Sequence, residues 1–302
     1  MPEGPRDWGS SRIRIWWLAD AWDRAEVVST DSEGALDFSD VSAVVTQHKA
    51  LRKPWDKLYA ACKERHVPLI ADICDPMWWF LPESRPLYDL VDFAVCSSAR
   101  LVDRVREELN LPAICIPDRH DPSAFVVKEE YETDCPVLMW HGTVLNRASL
   151  WNCAVELHKL FVAGHKFKLV IVDNGPKERC PQLHMVPEMP VEYLGWETLK
   201  GEPWDVDAFY REILPTADVG LVPPFPGTWG DLKSSNKETC FWMAGIPTCT
   251  GMNYAELVEL VTNSRLRKEL GERVRKAALR AWTIERSVEE WDRLMRTLAP
   301  SW

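Results

Sequence analysis

No stretch of this 302-residue chain approaches the roughly 20 consecutive apolar residues of a membrane-spanning helix. The first residues, MPEGPRDWGSSRIR, hold proline and glycine but no apolar segment of the kind a secretory leader needs, which points to a cytoplasmic protein. Positive charge is in deficit: 36 Lys and Arg stand against 46 Asp and Glu, a net charge of −10. That balance argues against a broad nucleic-acid surface, because phosphate binding is driven by Lys and Arg, though a local basic groove stays compatible with it. The nine cysteines are odd in number and none is spaced CxxC. This points away from zinc and redox chemistry, and toward cysteine as a small apolar residue. There is no GxxxxGK[ST] loop, no His/Asp/Glu cluster at metal-ligand spacing and no DxD in a suitable loop. No metal and no cofactor are expected.

What is present is an ordinary globular balance, 46% hydrophobic and 27% charged, in a chain long enough for two α/β domains. Sixteen tryptophans are unusual, and several stand in pairs such as Trp16–Trp17 and Trp78–Trp79. Neighbours on one element are expected to point apart, one into the core and one to the surface or an aromatic-lined cleft.

Short β-branched runs alternate with amphipathic segments, the pattern of a parallel sheet with crossover helices. In the first half, strands are expected at 26–29, 42–46, 68–71, 93–96 and 113–116, and helices at 11–22, 54–66 and 99–109. The helix at 11–22 leaves this half without an opening strand. A polar, proline-containing stretch at 121–136 reads as a linker. Beyond it, strands are expected at 137–140, 168–172, 191–194, 219–222 and 247–249. Helices are expected at 148–163, 206–214, 236–244, 254–262, 264–282 and 284–298. The fold reading is α/β, with two Rossmann-like domains facing across a cleft: an abbreviated one at 1–120 and a second at 137–283. The closing helix, 284–302, is expected to pack back on the first domain.

Ligands of open parallel sheets bind at loops leaving the carboxyl ends of strands. In the second half these loops are HGTVLNR (141–147), Asp173–Asn174–Gly175, Gly195–Trp196 and PPFPGTWGDLKSSNKE (223–238). The last carries Gly227, Gly230, Lys233 and Lys237 at the entrance to a helix that Ser235 or Asn236 is suited to cap. Backbone N–H groups at a helix start, with ammonium groups nearby, make an anion site that suits a diphosphate. Gly142 permits close backbone approach, and Arg147 is placed to reach a phosphate.

The segment ADVGLVPPFPGTWGDLKSSNKETCFWMAGIPTCT (217–250) resembles the donor site of GT-B glycosyltransferases, especially the retaining, glycogen-synthase-like group. The family pattern KxxNK followed by AxGxP is matched at Lys233, Asn236, Lys237, Gly245 and Pro247. HGT, VDNGP and VEYLGW resemble its other donor loops. VDFAVCSSARLVDRV followed by IPDRHD is similar to the end of its acceptor domain, and GSSRIR to an N-terminal acceptor- or phosphate-contacting helix start. The resemblance implies a glycosyltransferase using a nucleoside-diphosphate sugar. In it Lys233, Lys237, Arg147 and the helix start at Asn236 neutralise the diphosphate. Gly142, Thr143 and Asn174 line the donor cleft, Trp196 lies near the base, and Gly227, Gly230 and Asp231 face the sugar.

Two departures stand out. The glutamate that holds the ribose in the family falls at Cys240, and the one nearer the sugar falls at Leu232. Retaining transfer needs no protein base, since the leaving diphosphate takes the acceptor proton; inverting transfer would draw on Asp75 or His48. The expected acceptor is a small molecule, a glycan or a lipid-linked sugar. The alternative is a hydroxylated base in nucleic acid, met by a local groove of Arg12, Arg14, Arg52 and Lys53. A nucleotide-sugar isomerase, or a non-catalytic nucleotide-sugar-binding protein, is the alternative on the same fold.

Overall fold

The computed structural model describes residues 12–27, 40–47, 56–173, 189–195 and 206–298. Two units emerge: Met1–His120 with Asp231–Ser235 and Thr283–Trp302, and Asp121–Gly230 with Asn236–Trp282.

In the first unit, β1 (Val44–Gln47), β2 (Leu69–Ile73), β3 (Phe93–Cys96) and β4 (Ala113–Cys115) form a parallel sheet in sequential order. Strand β2, LIADI, is buried at every position, as a strand covered on both faces must be. On one face Leu69, Ala71 and Ile73 meet α2 (Asp56–Glu64) and α4 (Ala99–Leu109). Helix α4 starts where the Ser98 hydroxyl accepts from Leu101 N–H at 3.2 Å and ends at Asn110 in the left-handed region, with Leu101, Val102 and Val105 turned inward. On the other face Ile70, Val95 and Ile116 are covered by α1 (Trp17–Ala21) and by α9 (Ile284–Leu298), through Leu18, Trp22, Trp291 and Met295.

Between β2 and β3 lie α3 (Met77–Phe80) and a 3-10 stretch, Pro82–Leu90. The indole N–H groups of Trp78 and Trp79 both donate to Glu108 Oε2 at 2.7 Å, with the rings edge to face. These neighbours therefore converge on one carboxylate instead of pointing apart, because a short helix lets both long side chains swing toward it.

The second unit has five parallel strands: β5 (Val137–His141), β6 (Lys168–Asp173), β7 (Val191–Gly195), β8 (Val219–Leu221) and β9 (Thr248–Cys249). Their spatial order is β7-β6-β5-β8-β9, which is doubly wound, with the direction of winding reversing between β5 and β8. Leu138, Trp140, Leu169 and Ile171 pack against α5 (Trp151–Val162) and α7 (Tyr254–Thr262). At Gly220 a Cβ would stand 2.5 Å from the Phe241 ring, so only glycine lets α6 (Asn236–Met243) lie on the sheet there. Residues 121–136 pack within this unit: Lys128 pairs with Asp218 at 3.1 Å and the Tyr131 hydroxyl donates to Gly245 O at 2.7 Å. The buried Arg267 of α8 (Ser264–Ala281) donates to the carbonyls of Leu260, Val261 and Tyr131. Among the described residues no helix is long and apolar enough to cross a membrane.

Some expected elements differ. Glu26 and Val27 are in no strand, the chain having turned at Trp22–Ala25, and residues 28–29 lie outside those described. The helix expected at 148–163 is a 3-10 stretch, Val144–Leu150, running into α5. The one expected at 206–214 is α-helical only over Val206–Ala208 and continues as π and 3-10 turns, with Pro215 in the last. Proline cannot donate to an ongoing ladder.

Candidate functional site

The reversal between β5 and β8 places two loops side by side at the carboxyl ends of the central strands, where doubly wound sheets take their ligands. One loop begins at Gly142 and the other runs from Val222 toward α6.

Trp140, fully buried near the end of β5, turns one face of its indole toward Lys237 in the first turn of α6. The ammonium lies 4.7 Å from the ring centroid. Gly142 closes over both: a Cβ there would stand 2.9 Å from Lys237 Nζ and 2.9 Å from the indole edge. At Gly142 it is the chain's own Lys237 and Trp140 that come close to the backbone. Thr143 follows as the residue flanking the 3-10 stretch; its Oγ1 accepts from Asn146 Nδ2 at 3.1 Å and its carbonyl from Asn146 N–H at 2.8 Å.

On the β8 side the loop turns at Gly227, where φ is +83°. Gly230 lies so close to the Phe225 carbonyl that a Cβ would overlap it, and the Phe225 and Trp229 rings stack edge to face at 4.9 Å. Helix α6 begins at Asn236, with Ser235 just before it. Its first N–H groups carry the positive end of the helix dipole, and Lys237 adds a full charge.

Arg147 is placed differently from expectation. It is only 3% exposed, and it forms a buried ion pair with Asp173 at the end of β6. Its Nη2 donates to Asp173 Oδ1 at 2.7 Å and to the Tyr193 hydroxyl at 2.8 Å, and that hydroxyl donates to Asp173 at 2.6 Å. Desolvation, reinforced by the Asp173 carboxylate, pushes the Tyr193 phenol well up. A carboxylate buried at a strand end needs a cation, and Arg147 supplies one. The triad ties the 3-10 stretch that follows Gly142 and Thr143 to β6 and β7.

Lys233 and Asp75, proposed from sequence for different roles, meet in the first unit as an ion pair of 2.7 Å. Their neighbours follow suit. Asp231 faces Arg100 at 3.3 Å, the Leu232 carbonyl accepts from the Ser98 hydroxyl at 2.7 Å, and Ser234 Oγ donates to Asp118. Leu232 is 4% exposed and packs in the first unit's core. Cys240 is likewise buried. Glu238, in the first turn of α6, is half-buried; burial pushes its carboxyl above the usual range, partly offset by the Thr248 hydroxyl. His48, Asn174 and Trp196 lie outside the described residues.

The basic groove expected around Arg12 and Arg14 is not formed by Arg14. That guanidinium is buried, bidentate on Asp72 and bound to Asp118 at 2.8 Å and to the Ile116 carbonyl at 3.0 Å. The Arg12 guanidinium lies over the Trp17 ring at 5.4 Å, and Arg52 and Lys53 are outside the described residues. Trp140 and Tyr193 are site residues that sequence reasoning missed, and Asp173, read as part of its loop, was given no role of its own. The aspartate closing the apolar run KLVIVD was the available signal for that role.

No protein-family model matches the chain. No curated protein matches it by sequence. Solved structures do match by fold. A glycosyltransferase from Rickettsia africae superposes with a TM-score of 0.58 at 10% identity, over 82% of this chain and 75% of that one. A UDP-forming α,α-trehalose-phosphate synthase from Burkholderia xenovorans gives 0.57 at 10% identity, over 87% and 75%. An E. coli trehalose-6-phosphate structure bound with UDP-2-fluoro glucose gives 0.55 at 11% identity, over 84% and 73%. The chain has the GT-B glycosyltransferase fold.

Proposed function

We propose that this protein is a glycosyltransferase that moves a sugar from a nucleoside-diphosphate sugar to an acceptor hydroxyl. The observation carrying this reading is the joint placement of Gly142, Lys237 and the start of α6 at the winding reversal of the second sheet. On a scaffold shared with UDP-sugar proteins, a bare backbone turn, a helix start and an ammonium group are what a diphosphate requires. Gly227 and Gly230 let the facing loop, with its Phe225 and Trp229 rings, turn tightly where the sugar would sit.

In this reading the transfer retains anomeric configuration and needs no metal. The bond from the sugar C1 to the diphosphate oxygen breaks, the acceptor oxygen bonds to C1, and the acceptor proton passes to the departing diphosphate. Lys237 and the α6 N–H groups stabilise the charge that develops on that leaving group. Lys233 has its ammonium on Asp75, so the reading rests on Lys237 first. Arg147 acts by holding the Gly142 loop through Asp173.

The burial of Cys240 and Leu232, where the family carries its two glutamates, favours a second reading: a protein that binds nucleotide sugars without transferring them, or isomerises them. Release of nucleoside diphosphate, measured over a panel of sugar nucleotides with and without glycan and small-molecule acceptors, separates the two. Release that depends on an acceptor is the transferase result. Binding with no release under any condition, or sugar conversion without acceptor, would establish the second reading.

A further inference from the structure

Trp140 sits on β5 in the same core cluster as Leu138, Leu150, Cys153 and Leu157. Its indole is also fixed in plane: Nε1 donates to Ser149 Oγ at 3.3 Å, and that hydroxyl donates to the Asn146 carbonyl at 2.9 Å. What the ring adds beyond burial is a π face, and Lys237 Nζ stands over it at 4.7 Å. A lysine on four methylenes otherwise spreads its charge over many rotamers, while an indole face attracts and localises a cation. The backbone of Gly142 closes the third side, leaving the ammonium a defined seat beside the two loops.

We propose that Trp140 is a positioning residue of the anion site: its indole seats the Lys237 ammonium where the diphosphate of the donor is met. This rests on the donor reading above and deepens it. Trp140 is fully buried, so its effect must pass through Lys237.

The test is a double-mutant cycle on the full chain, read by calorimetric titration with UDP and other nucleoside diphosphates and, as a control, with the matching nucleosides. Trp140→Phe keeps a π face; Trp140→Leu removes it, and Trp140→Met serves where the leucine variant does not fold. The ring-less variant is expected to bind the diphosphate about three- to tenfold more weakly, with Trp140→Phe close to wild type. Nucleoside binding should not change, and Trp140→Leu should have no further effect in a Lys237→Ala background. Equal losses for Phe and Leu, or a loss that persists in Lys237→Ala, would overturn the proposal by showing ordinary core disruption. The seat has a second readout that needs no nucleotide. With 13C-dimethylated lysines, one methyl resonance should be shifted upfield by the indole ring current, vanish in Lys237→Arg and relax in Trp140→Leu. If no nucleoside diphosphate binds the wild-type protein, the donor reading falls and takes the functional half of this proposal with it. The methyl shift then decides separately whether the seat exists, and its absence would remove that too.

Discussion

Lys233 and Asp75, 158 positions apart, meet in an ion pair of 2.7 Å. Each is about a quarter to a third exposed, and each answers the charge of the other. Asp75 is thus held by a cation at the carboxyl end of β2 and is poorly placed to serve as a free base. Asp75→Asn is expected to leave the anomeric outcome unchanged and to lower kcat far less than the hundredfold or more that loss of a true general base brings, about 10²–10⁴. In denaturant titration the single variants Asp75→Ala and Lys233→Ala should each cost about 0.5–1 kcal/mol, and the double variant less than their sum. A kcat collapse in Asp75→Asn would restore it as the base of an inverting enzyme.

Gly142→Ala tests the tightest point of the site. The new methyl group meets the indole edge and the Lys237 ammonium at 2.9 Å, so one of them must move. The variant should lose about 1–3 kcal/mol of stability to overpacking. It should also bind nucleoside diphosphate at least tenfold more weakly, with Lys237 displaced. Wild-type affinity in calorimetry would show that the two loops do not form the site.

The Arg147–Asp173 pair is buried, with side chains 4% and 0% exposed. Removing either partner strands a charge in the core, so Arg147→Met and Asp173→Leu should each destabilise the protein by about 3–5 kcal/mol. The double change, Arg147→Met with Asp173→Leu, should recover much of that loss. Equilibrium unfolding of the three variants checks this, and additive losses would contradict it. Were Arg147 a phosphate ligand instead, its single variant would keep stability and lose only affinity.

Glu238 supplies a pH prediction. Desolvation raises its carboxyl above the ordinary value of 4.5, so folding favours the protonated form. The stability linked to this group is fully present below 4.5 and is lost as pH rises through the raised value. Glu238→Gln stays neutral throughout. Its melting temperature should therefore improve relative to wild type as pH climbs through that window, and should not differ in this way below it. The opposite trend in paired melting curves would mean that the carboxylate is stabilised by a cation.

Much of this was legible in the residues. VDFAVCSSARLVDRV yields β3, its Ser98 cap and α4 because burial period, cap and helix face all agree. The second unit's strands lie where β-branched runs placed them, each within a residue or two. The glycine loop and the helix start at Asn236 were likewise readable, since glycine and capping residues mark backbone conformations directly. What could not be read was pairing at long range. Arg147 in HGTVLNR gives no sign that Asp173 will claim it, and Lys233 gives none that Asp75 will. Arg14 misled: an arginine read as part of a surface groove is buried between two carboxylates. Such partners are set by how strands stack in space, which spacing along the chain does not encode.

The central claim is that a nucleoside diphosphate binds at the Gly142 loop and the start of α6 through Lys237. Calorimetric titration of wild type and Lys237→Ala with UDP, GDP and ADP, each with and without its sugar, tests it most directly. The account predicts saturable binding of one base series, weakened at least tenfold in a folded Lys237→Ala variant. Binding that is equal in the two proteins, or absent from both, would contradict it.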